Sequence, residues 1–360
     1  MAMHATTQLI KQNAALRGAK KFVVKTADGT KIGDIPLGNK APPSGDPECR
    51  IIVVSDIHVG LADTSDVFAD LLAYADADPL CKAVIVCGDL VNNGLVGDQR
   101  TDYYDLIHAA STPVYSIAGN HDTIWGYPTD DHMVSYTDYP HYYAVSKTAN
   151  SANRIYANDG LPDDTVLICL GHYGKDHSSN ANGDWRGGEQ FSAAELAWFE
   201  AIMADNADKL RLVFIHPYIP DGAGDPPLAD DSPKGEPPNI WDKESNVSTN
   251  AGADFLAILA RYPGTILFNG HSHYRFRTQE EQSIAIIHRP ADGSYTSVHV
   301  PSATKLRDVQ NGWRIDIDKS STDYGGEGFV VDFYPDCIYL RGRDFIAEKW
   351  VGIGTYQIRR

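Results

Sequence analysis

Apolar runs that each end in a polar motif recur along this chain, and this repetition constrains the fold more than any other feature. Continuous runs of this kind are typical of strands that are covered on both faces. The runs occupy residues 51–55, 83–87, 114–118, 166–170, 212–215 and 265–268. Helical patterns lie between several of them, at residues 66–74, 99–109, 192–204 and 253–261. Strands that alternate with helices predict an α/β fold.

Three regions of different character are expected along the 360 residues. Residues 1–49 form an N-terminal appendage, in which the alternation around Asp28-Gly29 indicates a β-hairpin. Residues 50–290 contain the apolar runs and form the core. Residues 291–360 read as successive strands without a long helix, so we expect a β-rich part that completes a second sheet. The Gly- and Pro-rich segments 173–189 and 217–250 are expected to be functional lids or rims that decide specificity, or else disordered segments.

Five of the apolar runs are followed by residues that bind metals in other proteins. The carboxyl ends of parallel strands meet at one edge of a sheet, where ligands bind. Carboxylate, imidazole and amide groups suit Zn, Mn or Fe. The D-x-H and H-x-H spacings place both side chains on one face of an extended segment. The motifs are Asp56-Ile57-His58, Gly88-Asp89, Gly119-Asn120-His121-Asp122, His216 and Gly270-His271-Ser272-His273.

Each motif alone has a simpler explanation. A single histidine is more often a core residue than a ligand, and an aspartate before glycine is more often a turn. Five such motifs in order, each at the end of a predicted strand, would require five coincidences. The sequence therefore predicts a metal site at this edge.

The order of the five motifs resembles that of the calcineurin-like metallophosphoesterases, from Asp56 to His273. The resemblance implies a four-layer αββα sandwich of two mixed sheets flanked by helices. It also implies two divalent or trivalent metal ions (Mn, Fe or Zn) that are bridged by one carboxylate and a hydroxide. By position, the ligands of the first ion would be Asp56, His58, Asp89 and His273. Those of the second would be Asp89, Asn120, His216 and His271.

The same resemblance implies how the site works. Two cations about 3.5–4 Å apart lower the pKa of a bridging water and orient it for attack on phosphorus. His121 would be the general acid for the leaving group, and a structural role is the alternative. Asp122 would orient His121, with a helix-cap role as the alternative.

The motifs of this chain differ from those of two branches of the family, and both branches are therefore disfavoured. Protein phosphatases carry an Arg after the second motif and GNHE in the third, whereas this chain has Asn92-Asn93-Gly94 and GNHD. Purple acid phosphatases have a Tyr ligand at the position of Asn92. The motifs are closest to the cyclic-nucleotide and general phosphodiesterase branch, which leaves the substrate open.

Four further residues are weaker candidates for the site. His172 and Tyr173 follow the run at 166–170 and would contact substrate at the rim, although ordinary loop residues explain them equally well. Arg275 and Arg277 follow the last motif and would contact phosphate. A solvated strand face is the favoured alternative for these two arginines.

The formal net charge of −17 argues against nucleic acid as a partner, because such binding rests on basic residues. We therefore expect a phosphorylated small molecule or an exposed phosphodiester as substrate, with monoesters as poorer substrates. A nuclease is the second hypothesis. A structural or binding component on the same scaffold, for example of a phage particle, is the third.

Composition also bears on location. The five cysteines contain no C-x-x-C pair, so neither a disulfide framework nor a thiolate site is indicated. The sequence has no apolar stretch long enough for a signal peptide or a transmembrane helix. We therefore expect a cytoplasmic protein without a membrane partner, and association with a phage particle stays open.

Overall fold

The computed structural model describes residues 21–25, 31–36, 42–93, 96–117, 119, 121–122, 154–156, 160–170, 193–219, 222–224, 251–310, 313–317, 321 and 325–360. The strands are β1 (Lys21–Lys25), β2 (Lys31–Pro36), β3 (Cys49–Val54), β4 (Cys81–Cys87), β5 (Val114–Ile117), β6 (Arg154–Tyr156), β7 (Thr165–Cys169), β8 (Leu210–Phe214), β9 (Thr265–Asn269), β10 (Ile287–His288), β11 (Tyr295–His299), β12 (Arg307–Gln310), β13 (Trp313–Asp316), β14 (Glu327–Tyr334), β15 (Cys337–Asp344) and β16 (Lys349–Arg359). The helices are α1 (Thr64–Asp76), α2 (Gly97–Ala109), α3 (Ala193–Asp205), α4 (Ala251–Ala260) and α5 (Phe276–Gln282).

Two six-stranded sheets organise the described chain. The first has the order β16-β15-β14-β3-β4-β5, and the second has the order β10-β11-β9-β8-β7-β6. In the first sheet β3, β4 and β5 run parallel to one another, and β14 pairs antiparallel with β3. In the second sheet β7, β8, β9 and β11 are parallel, with antiparallel strands at both edges. Both sheets are therefore mixed.

Three apolar clusters separate four layers. The central cluster lies between the sheets and joins side chains of β3 and β14 to those of β8 and β9. A second cluster covers the outer face of the first sheet with α1 and α2, and a third covers the second sheet with α3 and α4. Because every central strand is buried on both faces, its sequence reads as a continuous apolar run. The predicted αββα sandwich is confirmed.

The C-terminal part of the chain contributes to both sheets. Strand β11 lies in the second sheet, whereas β14, β15 and β16 extend the first. Residues 291–360 were expected to be a β-rich part that completes the second sheet. Apolar alternation predicts that a segment is a strand, but it carries no information about which of two sheets the strand joins.

Near the N-terminus, β1 and β2 pair antiparallel. Residues 26–30, which connect the two strands along the chain, lie outside the described residues. The longest helices of the described chain have 13 residues, and none is long and apolar enough to cross a bilayer.

Candidate metal centre

The loops that follow β3, β4, β8 and β9 bring six of the predicted metal ligands together in the interior. All six side chains are buried, with at most 8% of their surface exposed. They are Asp56, His58, Asp89, His216, His271 and His273. Loops from both sheets thus meet at one edge, as expected for the carboxyl ends of parallel strands. The seventh predicted ligand, Asn120, lies outside the described residues.

Left-handed backbone turns, rather than extended segments, aim these side chains at one another. The φ angles of Asp56 and His58 are 54° and 51°, that of Asp89 is 52°, and those of His271 and His273 are 73° and 62°. The D-x-H and H-x-H spacings were expected to work through the pleat of a strand. Non-glycine residues adopt this conformation at a cost of about 1–2 kcal/mol each. Such strain is concentrated at functional sites.

One group of ligating atoms comes from Asp56, His58, Asp89 and His273, within 4.8 Å of one another. The Nε2 atom of His273 lies 3.0 Å from Oδ1 of Asp56 and 3.3 Å from Nε2 of His58. The Nε2 atom of His58 lies 3.6 Å from Oδ2 of Asp89. These four side chains lie close enough together to be ligands of one cation.

A second group consists of Asp89, His216 and His271. The Nε2 atom of His216 lies 3.4 Å from Oδ2 of Asp89 and 3.2 Å from Nδ1 of His271. Asp89 belongs to both groups. A carboxylate that bridges two metal ions would take this position.

Backbone carbonyls select the tautomer of two of these histidines. Nδ1 of His273 donates to the carbonyl of Lys305 at 2.8 Å, and Nδ1 of His216 donates to the carbonyl of Cys87 at 2.7 Å. A carbonyl can only accept, so each Nδ1 carries a proton, and in the neutral ring of His273 the lone pair of Nε2 faces the cluster. Such contacts are typical of metal-binding histidines.

Burial and neighbouring charges shift the pKa values of four residues of the cluster. Burial lowers the pKa of His58 and His273 well below the usual value, and it lowers the pKa of His271 to about 3. Burial alone would raise the pKa of Asp89. The surrounding imidazoles, with His216 foremost, instead lower it well below its usual range. The site therefore offers neutral imidazoles at His58, His271 and His273 and an ionised carboxylate at Asp89, which are the forms that bind metals.

The contact between Asp56 and His273 tests whether a metal fits. Oδ1 of Asp56 is buried and accepts no hydrogen bond within the described chain. It nevertheless lies 3.0 Å from Nε2 of His273, which carries a lone pair and no proton. Two lone pairs at this distance repel each other unless a cation lies between them. The residues present therefore fit a bound metal ion.

His121 lies beside the cluster and outside both groups. Its ring contacts that of His58 edge to face at 4.6 Å, and its side chain is half-buried. Nδ1 of His121 donates to the carbonyl of Asn92 at 2.7 Å, and its backbone N–H donates to Oδ1 of Asp89 at 2.8 Å. Nε2 is thus the ring nitrogen left to face a substrate.

Asp122 was expected to orient His121 or to cap a helix, and within the described chain its carboxylate binds backbone N–H groups. Its carboxylate accepts hydrogen bonds from the backbone N–H groups of Leu90 (2.9 Å), Val91 (3.0 Å) and Gly119 (2.7 Å). It therefore ties the Asp89 loop to the loop that carries His121, while the Asn92 carbonyl orients the ring. Burial, together with the charge of Asp89, raises the pKa of Asp122 to about 7.

The structure describes two of the four weaker candidates for the site. His172 and Tyr173 lie outside the described residues. Neither Arg275 nor Arg277 lies on a strand face. Arg275 is buried and pairs with Asp308 at 2.7 Å, and Arg277 is exposed on α5. The short helix α5 was not predicted, because seven residues carry little periodicity.

Several residues at the site were missed by sequence reasoning. Ser302 and Thr304 donate to the backbone of the Asp56 loop, and Lys305 accepts from His273. His299 is fully buried, and its Nε2 atom lies 2.7 Å from Oγ of Ser272. In the sequence, Ser272 stands between two of the metal-ligand candidates. None of these residues belongs to a motif, and no local signal in the sequence distinguishes them.

Comparison with known proteins identifies relatives at low sequence identity. Glycerophosphodiester phosphodiesterase GpdQ of Enterobacter lignolyticus (strain SCF1) is 24% identical over 293 residues, which cover 78% of this chain and 89% of that protein. Among solved structures, calcineurin-like phosphoesterase YfkN of Bacillus subtilis is 14% identical with a TM-score of 0.41, over 75% of this chain and 88% of that one. TT1561 of Thermus thermophilus is 9% identical with a TM-score of 0.42, over 84% of this chain and 97% of that one.

The sequence model of the calcineurin-like phosphoesterases matches residues 49–275, which include every ligand candidate described above. The chain therefore belongs to the calcineurin-like phosphoesterase family.

Proposed function

We propose that the protein is a phosphodiesterase that depends on two metal ions and hydrolyses small phosphodiesters. The observation that carries this proposal is the position of Asp89, whose carboxylate belongs to both groups of ligating atoms. Asp56, His58 and His273 would hold one ion, and His216 and His271 the other. Asn120 is proposed as a further ligand of the second ion. Bound there, the two cations would supply a nucleophilic water and neutralise charge on the phosphoryl oxygens.

His121 is proposed as the general acid. Its Nδ1 proton is committed to the Asn92 carbonyl, so protonation of the ring places the second proton on Nε2. From there it can pass to the leaving oxygen, which departs as a neutral alcohol. The hydrogen bond to Asn92 also fixes the plane of the ring, which a proton donor requires.

A small diester is the proposed substrate class. The relative from Enterobacter lignolyticus is called a glycerophosphodiester phosphodiesterase, and the similarity extends over 89% of its length. The formal net charge of −17 also disfavours a long polyanion. The name of this relative supports a diester of glycerol or a similar alcohol, and the charge supports a small substrate over a nucleic acid.

The proposal is tested by metal analysis together with hydrolysis of bis(p-nitrophenyl) phosphate, p-nitrophenyl phosphate and glycerophosphoethanolamine, each with added Mn²⁺. Wild type is expected to bind about two metals per chain and to prefer the diesters. Asp89→Asn, which keeps the shape and tolerates a left-handed φ, is expected to lose metal and at least about a hundredfold in kcat/KM.

Asp63→Asn is the matched control, because Asp63 has a φ of 64° but is exposed outside the cluster. It should leave metal content and turnover unchanged. Wild-type protein that binds no metal and cleaves none of the three compounds would refute the proposal. Turnover of the monoester alone would refute the proposed substrate class.

A further inference from the structure

The segment from Val300 to Lys305 crosses from one sheet to the other at the edge where the metal centre lies. At its start, the N–H of Val300 donates to the carbonyl of Asn269 at the end of β9. Three residues later, the N–H of Ala303 donates to the carbonyl of Ser55, just after β3, at 2.9 Å. The segment therefore lies between the two loops that carry Asp56 and His273.

Two hydroxyl groups of this segment bind the backbone of the Asp56 loop. Oγ of Ser302 donates to the carbonyl of Asp56 at 2.8 Å, and Oγ1 of Thr304 donates to that of Ile57 at 2.6 Å. Ser302 is fully buried and Thr304 is 3% exposed, so water does not compete for these carbonyls. The hydroxyl groups thus satisfy two buried acceptors of a left-handed turn.

The N–H groups of the same turn point the other way. Those of Asp56 and His58 donate to the carbonyls of Gly88 and Asp89, at 3.0 and 2.9 Å. The turn is therefore held by the β4 loop on its donor side and by Ser302 and Thr304 on its acceptor side. Without the hydrogen bonds from Ser302 and Thr304, only the β4 loop would hold the turn that directs the Asp56 and His58 side chains.

Ser302 also connects this turn to the opposite ligand. Its Oγ accepts from the N–H of Lys305 at 2.7 Å, and the carbonyl of Lys305 accepts from Nδ1 of His273 at 2.8 Å. The N–H of Arg307 donates to the carbonyl of His273 at 3.0 Å. A continuous chain of hydrogen bonds thus runs from the Asp56 backbone through Ser302 and Lys305 to the His273 ring.

We propose that Ser302 and Thr304 are positioning residues for one metal ion, the one between Asp56, His58 and His273. The hydrogen bonds described above end on the loop of Asp56 and on His273, and they do not involve His216 or His271. The second ion should therefore be much less affected. The inference rests on the proposed metal-dependent function. It adds two residues outside the matched family segment, which ends at residue 275.

The test is Thr304→Val, which removes the hydroxyl at nearly constant volume, together with Ser302→Ala and the conservative Thr304→Ser. Thr265→Val is the matched control, because Thr265 is equally buried and donates to the carbonyl of Tyr262 at 2.7 Å, at the opposite end of β9. Mn²⁺ affinity is measured by calorimetric titration of metal-free protein, and the melting temperature of the metal-free form is recorded for each variant.

Thr304→Val and Ser302→Ala are expected to weaken one of two Mn²⁺ sites by about 10–100-fold and to leave the other nearly unchanged. Thr304→Ser should restore the affinity, and Thr265→Val should affect neither site. In the background of His273→Asn, which removes a ligand of the same ion, Thr304→Val should cause little further loss.

Several results would overturn the inference. Wild-type affinity at both sites in Thr304→Val and Ser302→Ala would refute it while leaving the proposed function intact. Equal weakening of both sites, in proportion to the loss of melting temperature and matched by Thr265→Val, would show that the hydroxyls serve only general stability. Wild-type protein that binds no Mn²⁺ would refute the proposed function and the inference together.

Discussion

At the scale of single residues, burial sets the protonation states of three histidines of the site. The imidazoles of His58, His271 and His273 are kept neutral by burial, which lowers the pKa of each. His121 is only half-buried and lies outside both ligand groups. This difference in surroundings separates the proposed ligands from the proposed proton donor.

The proton-donor role of His121 predicts a dependence on the leaving group. An alkoxide requires protonation as it departs, whereas p-nitrophenolate is a stable anion near neutral pH. His121→Gln should therefore reduce kcat for glycerophosphoethanolamine by about 10²–10⁴-fold, and it should reduce kcat for bis(p-nitrophenyl) phosphate far less. Steady-state kinetics with both substrates measure this difference.

Two controls accompany this prediction. Metal content should stay at the wild-type level, because His121 is outside both groups of ligating atoms. His108→Gln changes an exposed histidine on α2 and should alter neither rate. Equal loss on both substrates would contradict proton donation and would favour a positioning role for the ring.

At the scale of secondary-structure elements, a buried carboxyl group joins β14 to α5. Oε2 of Glu327, the first residue of β14, accepts a hydrogen bond from the N–H of Phe276, the first residue of α5, at 2.6 Å. The side chain is 7% exposed. Burial raises its pKa from 4.5 to about 7. The folded chain therefore binds this proton more tightly than the unfolded chain does.

This shift predicts how stability depends on pH. The contribution of protonated Glu327 is fully present below pH 4.5 and is lost as the pH rises to about 7. Glu327→Gln keeps the acceptor for Phe276 but removes the titration. The free energy of unfolding of the variant minus that of wild type should therefore be about 2–3 kcal/mol higher at pH 8 than at pH 5. Urea denaturation at both pH values measures this difference.

Comparison at equal pH cancels the contributions of all other titrating groups. Glu280→Gln, at an exposed position of α5, is the matched control and should show a constant difference from wild type. A Glu327→Gln variant whose difference from wild type is the same at pH 5 and pH 8 would contradict the proposed titration.

At the scale of the whole molecule, local pattern predicted the elements and the ligand candidates, but not what holds the ligands in place. The apolar runs were readable because buried parallel strands have no polar face. The pairing of β14 with β3 joins Phe329 to Val53, and no local signal encodes a contact at that separation. Ser302 and Thr304 were missed for the same reason, since their partners lie about 250 residues away (246 and 247).

The left-handed turns were missed for a different reason. A non-glycine residue such as His58 gives no composition signal for a positive φ, because its preference is overridden by the contacts around it. The D-x-H spacing therefore identified the right residues, although the extended backbone that it was taken to indicate is wrong.

The position of the metal centre between the two sheets predicts that metal loss destabilises the whole fold. Asp56 and Asp89 come from the first sheet, and His216, His271 and His273 from the second, so bound ions would cross-link the sheets at this edge. A ligand at a hundred times its dissociation constant adds about 2.7 kcal/mol to the stability of the folded state. Chelation by EDTA should therefore lower the melting temperature of wild type, and excess Mn²⁺ should restore it. Asp89→Asn, which lacks the shared carboxylate, should melt at nearly the same temperature with and without EDTA. A wild-type melting temperature that is indifferent to chelator would mean that the two sheets need no metal at their common edge.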